Sequence, residues 1–144
     1  WFSKYGDNVR HGLNGDLGFQ DQERTKNIRR IGGVCKLFAE AGVIILTGFI
    51  STFRVDREIV KSLMPKEDFV EIYLNCPVEV CESRDVKGLY KSSRTGVVKY
   101  FTGISSPYEI PNNPELIVDL NQETLEESVE KIMRMLHQIE VLAP

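Results

Sequence analysis

The chain has 144 residues, 42% of them hydrophobic and 27% charged, with a formal net charge of −3. That is the size and composition of one globular domain, and the acidic balance argues against a broadly basic nucleic-acid binder while leaving room for a local anion site. The most apolar stretch, Ala41 to Ile50, is too short to span a bilayer, and no basic segment with an apolar core opens the chain, so neither a membrane partner nor a secretory leader is expected.

Cys35, Cys76 and Cys81 form an odd set without C-x-x-C spacing, which reads as reduced structural thiols in a cytoplasmic setting. His11 and His137 are far apart, and no H-E-x-x-H or Cys/His cluster accompanies them, which argues against zinc. No G-x-S-x-G elbow is present either. The usual metallohydrolase and serine-hydrolase readings therefore drop out.

In chain order, Ile28, Ile31, Cys35 and Phe38 recur at helical spacing, with cationic residues mainly on the other faces. They predict a helix over Asp21 to Glu40, stopped by Gly42. Val43 to Thr47 is a β-branched run that predicts a strand buried on both faces. A second helix is expected over Val55 to Leu63, ahead of Pro65, and a strand over Phe69 to Leu74. Pro77 should open a short helix over Val78 to Ser83. Asp85 to Pro111 has little periodicity and contains Gly88, Gly96 and Gly103, so it reads as a long loop or lid. Leu116 to Leu120 is a strand, and Thr124 to Ile139 the closing helix, with Leu125, Val129, Ile132, Met133 and Leu136 on one side. Its glutamates read as a solvated face. The alternation predicts one α/β domain over residues 1–144, a parallel sheet flanked by helices.

In such sheets ligands bind beyond the carboxyl ends of the strands. That rule selects Gly48 to Arg57, which offers Ser51, Arg54, Asp56 and Arg57, although Ser51 could equally cap the next helix. The lid segment holds Asp85, Lys87, Lys91, Arg94 and Lys99, cations suited to closing over a phosphate or sulfate, or simply a solvated basic loop. Gly6 to Arg10 adds a carboxylate, an amide and an arginine. Anion recognition beside a carboxylate is the inventory of phosphoryl transfer.

These residues resemble the adenylylsulfate (APS) kinase family. The segments that carry the likeness are Gly6-Asp7-Asn8-Val9-Arg10-His11-Gly12-Leu13-Asn14 with Asp16-Leu17-Gly18-Phe19, and Glu23-Arg24 with Asn27-Ile28-Arg29-Arg30-Ile31. Phe49-Ile50-Ser51 with Arg54 and Asp56-Arg57, Asp85-Val86-Lys87-Gly88-Leu89-Tyr90-Lys91, Phe101-Thr102-Gly103-Ile104 and Pro107-Tyr108-Glu109 complete it. They run in order from Gly6 to about Asp119.

The resemblance implies a P-loop nucleotide-kinase fold and transfer of a phosphoryl group from ATP, with Mg2+, to the 3′-hydroxyl of adenylylsulfate, giving PAPS. By the same resemblance, Asp7 is the catalytic carboxylate, as base or through magnesium, and Ser51 lies near the transferred phosphate. Arg10, Arg24 and Asn27 would hold the phosphosulfate and sugar, with Ile50 beside Ser51. Phe19 and Phe101 would sandwich the adenine, though either ring taken alone could be a core aromatic. Lys87 and Leu89 on the lid would reach the nucleotides, and Arg84 and Arg94 the ATP. The family also implies a cytoplasmic enzyme, as a homodimer or fused to or associated with ATP sulfurylase.

Several positions depart from the family. No G-x-x-x-x-G-K-[ST] loop occurs, and the apolar strand and helix that accompany it in the family are not expected here, with no strand foreseen over Trp1 to Tyr5. Tyr5 stands in place of the usual aspartate, Thr52 in place of a proline, and Ser92-Ser93 in place of a lysine-alanine pair. Three readings stay open: a fragment of a working kinase with its P-loop upstream, a truncated inactive paralogue that binds adenylylsulfate or pairs with a complete subunit, and another small P-loop kinase.

Overall fold

A computed structural model describes residues 2–141, and side chains from residue 8 onward. The chain divides into two compact units: residues up to Phe69 with Tyr100–Ile110, and Val70–Lys99 with Pro111 onward.

The first unit begins with β1 (Phe2–Tyr5), which runs into the short helix α1 (Gly6–Arg10). The long helix α2 (Asp21–Glu40) follows and returns the chain to β2 (Ile45–Gly48). The strands pair in parallel, Phe2 opposite Ile45 and Tyr5 opposite Gly48, as a β-α-β crossover allows. Two expectations are corrected here. A strand does form over Phe2–Tyr5, because pairing with β2 supplies the backbone partners that the local sequence does not announce. And β2 is not buried on both faces: Leu46 is 49% exposed, since among the described residues the sheet of this unit has two strands.

Helix α2 ends as the apolar pattern requires, with Gly42 in the left-handed region at φ 74°. Ile28 and Ile31 are buried on its inner face, and Val9 of α1 is buried as well. Helix α3 (Arg54–Lys61) packs closely against α2 at Gly32, where a methyl group would come within 2.7 Å of Val60 Cγ2. Asp56 of α3 is buried and accepts a 3.0 Å hydrogen bond from Thr25 Oγ1 of α2. Burial pushes the Asp56 pKa up, against the opposing hydrogen bond from Thr25 and the charge of Arg57.

The second unit pairs β3 (Ile72–Asn75) with β4 (Leu116–Asp119), also in parallel, with Val118 fully buried. Pro77 opens α4 (Val78–Ser83) at the expected place. The segment expected as an irregular lid contains a further helix, α5 (Leu89–Arg94), which starts after Gly88 at φ 66°. The Asp85 carboxylate, accepting from the Leu89 and Lys91 amides at 2.9 and 3.0 Å, organises that start. The periodicity is hidden because the helix is short and polar.

Helix α6 (Leu125–Gln138) carries a capping box in which Thr124 and Glu127 satisfy each other's backbone amides. Its inner side differs from the one expected. Ser128 is buried with Lys131, Ile132, Met135 and Leu136 partly covered beside it, whereas Leu125, Val129 and Met133 are exposed. All three cysteines are free thiols, and burial raises the pKa of Cys35. No described helix is long and apolar enough to cross a membrane.

The neighbouring glycines of α2 make a paired test. Gly33 has open space where a methyl would go, so Gly33→Ala should stabilise by up to about 1 kcal/mol through helix propensity. Gly32→Ala should instead lower the melting temperature, by an amount equivalent to about 1–3 kcal/mol, because the stiff Val60 side chain cannot yield without moving α3. Thermal melts of the two variants against the parent decide it.

Candidate substrate site

A concavity of about 330 Å³ opens in the first unit, lined by residues of α1, α2 and the turn after β2. It brings together Arg10, Phe19, Arg24, Asn27, Ile50 and Ser51, six of the positions selected from the sequence. Gly48, Phe49, Thr52 and Ile28 also line it.

The turn before α2 is shaped by charge. Glu23, in the first turn of α2, reaches back and accepts from the Gly18 and Gln20 amides at 2.9 and 3.1 Å. Those two hydrogen bonds, from Gly18 first, hold its carboxyl below the usual carboxylate range. Arg10 Nη1 donates to the Leu17 and Gly18 carbonyls at 3.0 and 2.8 Å, closing the same turn from the other side. Phe19, at the tip, is 54% exposed, so it is not a core aromatic. The Arg10 guanidinium lies 4.2 Å from its ring centroid and that of Arg24 5.9 Å away. Both guanidiniums lie over the ring, so a planar base stacking on Phe19 would share its faces with them.

Arg24 ties three separate stretches of chain to the pocket. Its Nε donates to the Phe19 carbonyl at 2.9 Å and Nη1 to Thr52 Oγ1 at 3.4 Å, while Nη2 donates to the Tyr100 carbonyl. Burial, and then the charge of Arg10, lower its pKa from the ordinary arginine value. Thr52, a departure from the family pattern, is thus buried and used as an acceptor for this guanidinium.

Ser51 lines the pocket with φ 45°, a strained conformation for a residue with a side chain. Arg57 holds it there by donating from Nη1 to the Ser51 carbonyl and from Nη2 to the Glu109 carbonyl at 2.6 Å. Ser51 does not cap α3. Phe53 occupies the cap position, and the Glu109 carboxylate takes the Arg54 amide at 2.7 Å. The capping group comes from more than fifty residues away, so no local motif could reveal it.

Asn27 is buried in the pocket wall and receives a 2.8 Å hydrogen bond from Asn14 Nδ2. Asp16 pairs with Arg30 through two bonds of 2.6 and 2.8 Å, which draws the Asp16 carboxyl downward in pKa. The sequence alone gives Asn14, Asp16 and Arg30 no role, because their contacts depend on a loop folding back over α2.

Other selected residues lie elsewhere. Asp7 falls in α1, with its side chain outside the described residues. Phe101 follows Tyr100 in a tight turn closed by the Ser105 hydroxyl at 2.9 Å from its amide, and it is not among the residues lining the concavity. Arg84, Lys87, Leu89 and Arg94 belong to the second unit. There Arg94 grips Glu82 through bonds of 2.7 and 2.9 Å, and Arg84 Nη1 donates to the Leu120 carbonyl at 3.0 Å.

The Glu23 arrangement carries a pH signature. Its pKa is depressed on folding, so the unfolded chain binds the proton more readily, and the Glu23 contribution is present above the unfolded carboxylate pKa and lost as pH falls through the folded one. Glu23→Gln should therefore lower the melting temperature near neutral pH, and that difference should close on acidification below the carboxylate range. Melts across pH 3 to 7, roughly bracketing carboxylate titration, measure it.

A family model described as adenylylsulphate kinase matches residues 3–119. Among curated proteins, the chain is 53% identical over 137 residues to an adenylyl-sulfate kinase of Marinobacter nauticus, covering 95% of this chain and 69% of that protein. It is 58% identical over 132 residues to a probable adenylyl-sulfate kinase of Halalkalibacterium halodurans, covering 92% of this chain and 65% of that protein. It thus spans about two thirds of the length of these relatives. Among solved structures, the APS kinase of Mycobacterium tuberculosis in complex with AMPPNP and APS matches with a TM-score of 0.88 and 37% identity, over 94% of this chain and 79% of that one. A hexameric APS kinase from Thiobacillus denitrificans matches with a TM-score of 0.69 and 25% identity, over 99% of this chain and 24% of that one. With its α/β architecture and parallel strand pairs, the chain belongs to the adenylylsulfate kinase family.

Proposed function

We propose that this chain carries the adenylylsulfate site of a kinase that transfers the γ-phosphoryl group of ATP to the 3′-hydroxyl of adenylylsulfate. The observation that carries the reading is the exposed Phe19 ring flanked by the Arg10 and Arg24 guanidiniums in one pocket. An aromatic face beside two cations suits an adenine joined to an anionic phosphosulfate, through stacking and charge-assisted hydrogen bonds. The Mycobacterium tuberculosis APS kinase, solved with APS bound, supports the same assignment.

In this reading Arg10 and Arg24 hold the anion, Phe19 and Phe101 the base, and Ile50 and Ser51 border the reacting end. The family resemblance further assigns Lys87 and Leu89 to the nucleotides and Arg84 and Arg94 to ATP. For Arg94 to reach a phosphate it must share or release Glu82. Asp7 is the catalytic carboxylate. Among the described residues no three His, Cys, Asp or Glu side chains converge on a metal site. By the family resemblance Asp7 would hold magnesium, which when bound would neutralise charge on the transferring group.

The free thiols support a cytoplasmic setting. The likeness to a hexameric APS kinase supports self-association. Association with ATP sulfurylase is the finer proposal, made from the family resemblance alone.

Calorimetric titration with adenylylsulfate tests the site. Saturable binding is expected, Phe19→Ala should cost about 1–3 kcal/mol, and Arg24→Ala should cost more at low salt than at high. A folded parent protein that takes up no adenylylsulfate at millimolar concentration, or variants that bind as well as the parent, overturns the assignment. ADP formation on adding ATP and magnesium measures transfer separately from binding.

A further inference from the structure

We propose that Asp16, Arg30 and Asn14 form a positioning relay that turns the side-chain nitrogen of Asn27 toward the pocket, so that this part of the site recognises a hydrogen-bond acceptor on the ligand. The argument follows from which atoms can donate. A guanidinium has donors and no acceptor. Arg30 Nη1 lies 3.3 Å from the Asn14 side chain, so the atom facing it must be the Asn14 oxygen. The Asn14 nitrogen then faces Asn27, and at 2.8 Å it can meet only the Asn27 oxygen. The Asn27 nitrogen is left pointing away from Asn14, on a residue that lines the pocket.

The relay is built to hold that orientation. Asn14 is completely buried, so a reversed amide would place donor against donor at Arg30 with no water to relieve it. Arg30 is itself fixed by both oxygens of Asp16, at 2.6 and 2.8 Å, and by the Leu13 carbonyl at 3.2 Å. A surface ion pair thereby sets the polarity of a buried amide two hydrogen bonds away. The identity of the ligand rests on the adenylylsulfate reading, whereas the orientation of Asn27 does not.

Two measurements on the full chain separate these. Side-chain amide exchange by NMR needs no ligand: the Asn14 protons should exchange slowly and the Asn27 protons fast. In Asn14→Asp the carboxylate accepts from both neighbours, Asn27 turns its nitrogen inward, and its protons should become protected. Affinity for adenylylsulfate should then fall about tenfold, the scale of one charge-assisted hydrogen bond lost. In an Asn27→Ala background the same change should leave affinity as it was, since the relay acts only through Asn27. Asp16→Asn, at an exposed side chain, gives the same test with a smaller loss should Asn14→Asp fail to fold. Protected Asn27 protons in the parent protein, or equal losses of affinity in both backgrounds, would overturn the relay. A parent protein that binds no adenylylsulfate but keeps fast-exchanging Asn27 protons refutes the ligand and supports the relay.

Discussion

The guanidinium of Arg24 is the constraint on which the pocket depends. One planar group donates to the Phe19 carbonyl, the Thr52 hydroxyl and the Tyr100 carbonyl, and so fixes three stretches of chain that no secondary structure joins. Arginine suits this because its donors diverge in a rigid plane, and each bond made reduces the freedom available to the others. It is half-withdrawn from solvent, which makes each bond stronger and each lost partner costlier. A lysine at this position would carry the charge but could not hold the geometry.

Around that group the first unit is organised by satisfied polar contacts as much as by apolar packing. Val9, Ile28 and Ile31 are buried, yet Asn14, Asn27, Thr52, Asp56 and Ser106 are buried with them. Each of the first four finds a partner: Asn14 with Asn27, Thr52 with Arg24, Asp56 with Thr25. Networks of this kind specify one arrangement, because any slip leaves a buried donor or acceptor unpaired. The same logic keeps Ser51 in its unfavourable backbone conformation. Arg57 clamps its carbonyl, and Arg54 Nε holds the Ile110 carbonyl at 2.6 Å, so the 109–110 segment and the Ser51 turn restrain each other.

Much of the fold was legible in the sequence wherever the signal was local. Helix α2 occupies the residues its apolar spacing predicts, and α4 begins where Pro77 places it. Six residues selected by the family resemblance line one concavity. What remained hidden has a physical cause in each case. The strand at Phe2–Tyr5 draws its order from pairing with β2, forty residues on, and α5 depends on a single carboxylate bridging its first turn. Thr52 reads as a lost proline until the Arg24 bond gives it a role.

The amino-acid sequence by itself determined the alternation of strands and helices, the family, and which side chains could carry anion and base recognition. The alternation depends on periodicity and turn residues written along the chain, whereas the family and the candidate recognition residues rest on motifs that resemble a known family. Only the tertiary structure decided where the groups stand: that Phe19 is exposed between two guanidiniums, that Glu109 caps α3, and that Asn14 sets the direction of the Asn27 amide. Each is a hydrogen bond or ring contact whose angle is set by more than one chain segment, and no segment specifies that angle until the others have packed against it.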